Sequence, residues 1–188
     1  IHHCWPGPPP KNPQIAPEVQ MKGFGNVDFV IADMLDDNRI GQFLSVELQA
    51  IDFSGSVRSA YEALVLGQPL ESKLTYGPNW KNVYKRYITQ LIAKGYYHHH
   101  WKTKIVAVIQ EQVYRYIKNE ASFMCSSDLA DPSVNVIFMT YAFDDDPDAP
   151  GQYKLVLKTV EGTSHSNLQQ AVMYKDAPSR DDFCKQIG

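Results

Sequence analysis

Asp28, followed about twenty residues later by Glu47 and Gln49, is the set of side chains in this sequence whose types and spacing best support chemistry. The segments around them, Asn26–Leu35 and Ile40–Phe53, are rich in Val, Ile, Phe and Leu. They read as two strands joined at the turn signal Asp36-Asp37-Asn38. With the turn centred between Asp37 and Asn38, Asp28 stands across from Glu47. Because side chains alternate along a strand, Val27, Phe29, Ile31, Leu44, Val46 and Leu48 share one apolar face. The other face presents Asp28, Glu47 and Gln49, with Val30, Ala32 and Ser45 beyond them; Asp33 and Asp52 fall on the wrong side. Two carboxylates opposed across a ladder repel unless something positive lies between them. A hard divalent cation would satisfy both, and Mg²⁺ suits a couple of carboxylates completed by water. Two other readings stay open at this point: an edge hairpin whose acids face water, and a glycosidase with two flanking carboxyl groups. The glycosidase reading leaves Gln49 without a purpose.

The elements that must hold this hairpin are readable in outline. Val57–Gly67 has helical spacing. Asn79–Lys94 is a clearer helix, with Asn79 able to cap it, Pro78 just before it and Gly95 able to stop it. Trp80, Tyr84, Tyr87, Ile88 and Leu91 form its apolar stripe, and Lys85 and Arg86 straddle the opposite pole. Lys104–Gln110, Asn135–Phe143 and Tyr153–Val160 read as further strands, and Arg180–Gln186 as a short terminal helix. A hairpin flanked by helices and followed by more strands predicts an α/β (α+β) chain with a mixed central sheet and helical cover. The run Pro6-Gly7-Pro8-Pro9-Pro10, with Pro13 and Pro17 behind it, predicts an extended arm or linker over residues 1–17 ahead of one domain over 18–188.

Composition narrows the class. The 188 residues are 44% hydrophobic and 12% aromatic, which excludes a disordered or collagen-like polymer. The longest apolar run, Ile105–Ile109, is strand-sized, so no membrane span is expected. No charged-apolar-small leader opens the chain, and its start at Ile1 rather than Met is compatible with a missing upstream region. Cys4, Cys125 and Cys184 are odd in number and widely spaced, which fits idle thiols in a reducing, cytoplasmic compartment better than disulfides or zinc.

A net charge of −3 hides an asymmetry: between Ser72 and Lys118 nine basic residues face a single acid, Glu111. A basic stripe on an acidic body is compatible with a polyanion, and equally with a solvated helix face. His98-His99-His100 is not read as a metal site, since neighbouring side chains on an extended stretch diverge. Ser164-His165-Ser166 carries no assigned role.

The longer strings are more specific than the triad. Val27-Asp28-Phe29-Val30-Ile31, Glu47-Leu48-Gln49-Ala50-Ile51-Asp52-Phe53-Ser54-Gly55-Ser56 and Gly77-Pro78-Asn79-Trp80-Lys81-Asn82-Val83-Tyr84-Lys85-Arg86 resemble the signature segments of NotI-type Type II restriction endonucleases. Those enzymes are a Glu-x-Gln form of the PD-(D/E)xK nuclease core. The resemblance runs from about Asn26 through Phe143 and is poor over the first 25 residues. It implies an Mg²⁺-dependent, sequence-specific endonuclease for double-stranded DNA. It also implies Asp28, Glu47 and the Leu48 carbonyl as metal ligands, and Gln49 where many relatives carry Lys. Lys81, Lys85 and Arg86 become candidate phosphate contacts and Gln90 a supporting residue. A homodimer and a companion DNA methyltransferase are expected with it. The family's N-terminal cysteine-ligated module has no counterpart beyond Cys4. Two further readings are a DNA-binding module with an idle nuclease centre and a broad-specificity repair or defence nuclease.

Overall fold

A computed structural model of the chain describes residues 2–50, 53–54, 58–69, 77–80, 83–174 and 179–187. In chain order it contains strands β1 (Pro13–Met21), β2 (Gly25–Met34), β3 (Ile40–Gln49) and β4 (Phe53–Ser54), then helix α1 (Arg58–Val65) and β5 (Gly77–Pro78). A π-helical turn, Val83–Tyr87, leads directly into α2 (Ile88–His100). Then follow β6 (Lys104–Gln110), α3 (Glu111–Glu120), β7 (Val136–Asp145), β8 (Tyr153–Thr163), α4 (His165–Met173) and α5 (Arg180–Cys184).

Six strands form one mixed sheet in the order β1-β2-β3-β6-β7-β8, with β6 parallel to both β3 and β7 and the remaining pairs antiparallel. This is the mixed sheet with helical cover that the sequence predicts. The central parallel strands are buried on both faces, which is why Lys104–Gln110 and Val136–Thr140 read as nearly unbroken apolar runs. The sheet edge at β1 tolerates Pro13 and Pro17 because an edge strand need not donate on its outer side. Strand pairing therefore reaches into the segment expected as an arm.

Two cores flank the sheet. On one face α2, α3 and α4 bring Ile88, Leu91, Val113, Ile117 and Leu168 against Ile105, Ala107, Ile109, Val136 and Phe138. On the other, Ile31, Leu44, Val46, Val106, Ile137 and Met139 are capped by Cys4 and Trp5. Leu48 shares that second face yet is 53% exposed, so the apolar set predicted for the hairpin stays open at its last member.

Helix α2 does not stop at Gly95. It continues to His100, and Gly95 sits within it where a Cβ would meet Val136 Cγ2 at 2.8 Å and His165 Cβ at 3.0 Å. This glycine serves close approach of the helix to β7 and α4 rather than termination. His98-His99-His100, expected on an extended stretch, is instead the last helical turn. Among the described residues no helix is long and apolar enough to cross a membrane.

Candidate functional site

Away from the turn the β2–β3 ladder has the expected register, Phe29 pairing with Val46, Val30 with Ser45 and Ile31 with Leu44. Next to the turn Met34 pairs with Ile40, one residue out, and a bulge between Ala32 and Met34 makes up the difference. The ladder ends at Phe29 and Val46. One step further Asp28 comes opposite Glu47, and there the carboxylate of Asp28 accepts the backbone N–H of Leu48 at 2.6 Å. A side chain thus takes over a donor at the point where the strands part. Asp28 and Glu47, both named from sequence, come to this strand end, and the Leu48 contact there is made by its N–H.

The polar face of the hairpin is covered rather than open to water. Glu47 is 8% exposed, and the Lys94 ammonium, reaching from α2, donates to its Oε1. The same ammonium donates to the Asn26 carbonyl at 2.7 Å, tying the start of β2 to β3. One turn along the helix, His98 is fully buried against Ser45. Its Nδ1–H donates to the Lys94 carbonyl at 2.7 Å, so Nε2 accepts from the Ser45 hydroxyl at 2.7 Å. Helix positions four apart thus engage strand positions two apart, a two-rung polar contact between α2 and β3. It disposes of the solvated edge hairpin as an account of Glu47.

Burial raises the pKa of Glu47, the Lys94 ammonium pulls it back, and the facing charge of Asp28 raises it again. Burial depresses His98 to about 4, so it is neutral at physiological pH. The two carboxyl groups have one ammonium beside them, Lys94, and its contact is with Glu47.

Gln49 is half-buried on the same face as Glu47, and its Nε2 donates to the carbonyl of Ala50 at 2.5 Å. Together with Leu48, Ala50, Gln110, Tyr141 and Phe143 it lines a cavity of about 570 Å³ at the strand ends. Lys85, Arg86 and Gln90 are exposed. Lys81 and Asp52 lie outside the described residues. The basic stripe read from sequence breaks up on folding: Lys94 and Lys104 are buried, Arg115 pairs with Glu111, and Lys118 approaches Glu161. Lys85, Arg86 and Lys102 remain exposed.

Lys94 and His98 were missed from sequence as parts of the site. The available signal was their spacing with Leu91 on the apolar side of the helix, where a charged group requires a partner. Among the described residues no group of three or more His, Cys, Asp or Glu is arranged to hold a metal ion. Two carboxylates with backbone oxygen and water are nonetheless a donor set that suits Mg²⁺.

Set against known protein families, residues 15–155 match the model of restriction endonuclease NotI. A search of curated proteins finds no match. The matched span runs from within β1 into β8 and contains Asp28, Glu47, Gln49 and Lys94.

Proposed function

The chain belongs to the NotI restriction endonuclease family, and on that premise we propose that Asp28, Glu47 and the Leu48 carbonyl hold Mg²⁺ while Gln49 orients water. Membership makes it a Type II site-specific deoxyribonuclease, a hydrolase acting on double-stranded DNA. Divalent metal ions are the general cofactors of such enzymes; Mg²⁺ and the residues that would hold it are our reading. The observation that supports it best is the parting of β2 and β3 at Asp28 and Glu47, with the Asp28 carboxylate already turned onto the next strand.

A divalent cation bound there would supply the positive charge that activates water near neutral pH and offsets charge on the scissile phosphate. The protein's own groups do the positioning. Gln49 carries a neutral amide and cannot act as a base; it can accept from water and donate to a phosphate oxygen. Lys94 keeps Glu47 compact in the absence of the cation and stays beside it as a second positive charge. In hydrolysis a water oxygen forms a bond to phosphorus while one ester P–O bond breaks. Lys85 and Arg86 would hold neighbouring phosphates without reading sequence. Cutting both strands with one centre per chain calls for a two-fold homodimer, and a companion methyltransferase would protect the host site. The internal ammonium on Glu47 favours a second reading, an idle centre that binds DNA without cutting it.

Digestion of a long defined DNA with Mg²⁺ tests the proposal. Discrete fragments are expected from the wild-type chain. Asp28→Asn should abolish them while DNA binding in Ca²⁺ persists, and it spares the buried Lys94 pair. Intact DNA at every salt concentration, with binding retained, would leave the idle centre standing instead.

A further inference from the structure

We propose that Tyr87 is a positioning residue of this centre: its hydroxyl donates a hydrogen bond to water held at the Asp28–Glu47 pair. The inference rests on the cation-binding reading above and adds a group that the Glu-x-Gln pattern does not contain.

Tyr87 is 4% exposed, and its hydroxyl oxygen is buried with no hydrogen-bond partner in the protein. Buried hydroxyls are nearly always paired, so this one implies a partner that the chain itself does not provide. Its place in the fold indicates which. Lys94 meets Glu47, and His98, one turn later, meets Ser45, two residues earlier on the strand. Helix α2 therefore runs antiparallel to β3. Moving back from Lys94 through Leu91 to Tyr87 keeps to one side of the helix and travels past Glu47 toward the open end of the strand, where Gln49 lies. Tyr87 is also the closing residue of the π-helical turn Val83–Tyr87. Such turns shift the side chains around them out of α-helical register and recur at functional sites.

The electrostatics agree with this placement. Burial, and then the negative charges of Glu47 and Asp28, hold the Tyr87 phenol well above its ordinary pKa. The group therefore keeps its O–H at neutral pH. The Tyr87 oxygen thus lies within electrostatic reach of both acids and is hydrogen-bonded to neither. A single water fits that description.

Tyr87→Phe removes the hydroxyl and keeps the ring. The test compares the wild-type chain and the variant by thermal unfolding without divalent ions, thermal unfolding with Ca²⁺, and single-turnover cleavage with Mg²⁺ at saturating DNA. Without ions the variant should melt within about 1 °C of wild type or above it, since no protein hydrogen bond is lost. With Ca²⁺ its stabilisation should fall to half or less of the wild-type shift. Cleavage at saturation should slow about tenfold, the worth of one hydrogen bond, with the DNA concentration for half-maximal rate unchanged. A variant that melts several degrees lower without ions yet keeps the full Ca²⁺ shift would make Tyr87 structural and overturn the proposal. So would a variant equal to wild type in all three measurements. If wild type itself shows neither a Ca²⁺ shift nor cleavage, the cation reading fails, and this inference with it.

Discussion

The Lys94 ammonium and the Glu47 carboxylate form an ion pair inside the helix–sheet interface, their side chains only 5% and 10% exposed. Burying one charge alone would be prohibitive, and burying two is tolerable only with close contact and further hydrogen bonds. Both conditions are met, because the ammonium also reaches the Asn26 carbonyl. The pair joins α2 to the strand that carries Glu47, so the helix fixes where that carboxylate stands.

Removing the ammonium leaves Glu47 buried, charged and facing Asp28. Lys94→Met should therefore cost about 3 kcal/mol of stability at neutral pH, the lower end for breaking a buried pair. The loss should shrink in mild acid, where Glu47, already raised in pKa by burial, takes up a proton. Ca²⁺ should restore more stability to the variant than to the wild type, as it would replace the missing positive charge. Denaturant unfolding with and without Ca²⁺ measures both effects. A variant as stable as wild type would show that the pair does not compensate the buried charge.

His98 sets a separate dependence on acid. Its pKa is depressed from 6.5 to about 4, chiefly by burial. Between those values the unfolded chain holds a proton that the folded chain excludes, so stability is complete above about pH 6.5 and declines as pH falls toward 4. The full effect is about 3 kcal/mol. Comparing wild type with His98→Gln at pH 7.5 and 4.5 isolates this group from the other acids. The variant should start lower, having lost a buried imidazole, but should lose about 2.5 kcal/mol less over this pH interval. Equal losses in the two proteins would mean that His98 is protonated in the folded state.

Gly95→Ala would improve intrinsic helix propensity by about 1 kcal/mol and still destabilise the fold. The new methyl meets Val136 Cγ2 at 2.8 Å and His165 Cβ at 3.0 Å, both on side chains with little freedom to retreat. Overpacking of this kind costs about 1–3 kcal/mol, so a net loss near 1 kcal/mol is expected in denaturant unfolding. A gain would mean that α2 can move away from β7 without penalty.

These residues also mark how far the sequence could be read. The hairpin register was legible because one face is apolar throughout, and a slip of one residue would turn that face outward. The parallel strands were legible as short apolar runs. The helix–sheet contact was not. Its spacing with Leu91 sets Lys94 on the apolar side of the helix, but only the strand packed beneath decides which group it meets. Gly95 read as a stop because glycine usually marks one, whereas here the tight approach of β7 and α4 requires it. Helix Glu111–Glu120 begins where β6 ends, with no turn residues in the sequence to announce it. Strand Pro13–Met21 was hidden by prolines that only a sheet edge accommodates.

The breakup of the basic stripe leads to a prediction about DNA. Lys85 and Arg86 are exposed on the π-helical turn, on the side away from the core that buries Val83 and Tyr87. Arg115, by contrast, is committed to Glu111 at 2.7 Å. A lysine that neutralises a phosphate releases a counterion, so each such contact contributes about 0.9 to the slope of log affinity against log salt. Lys85→Ala and Arg86→Ala should each lower that slope by about one unit in Ca²⁺, and the double variant by about two. Arg115→Ala should leave it unchanged. Because phosphate contacts position without reading bases, the loss should be similar for specific and nonspecific duplexes. A slope that falls with Arg115→Ala but not with the other two would move the DNA-facing surface from the π-helical turn to α3.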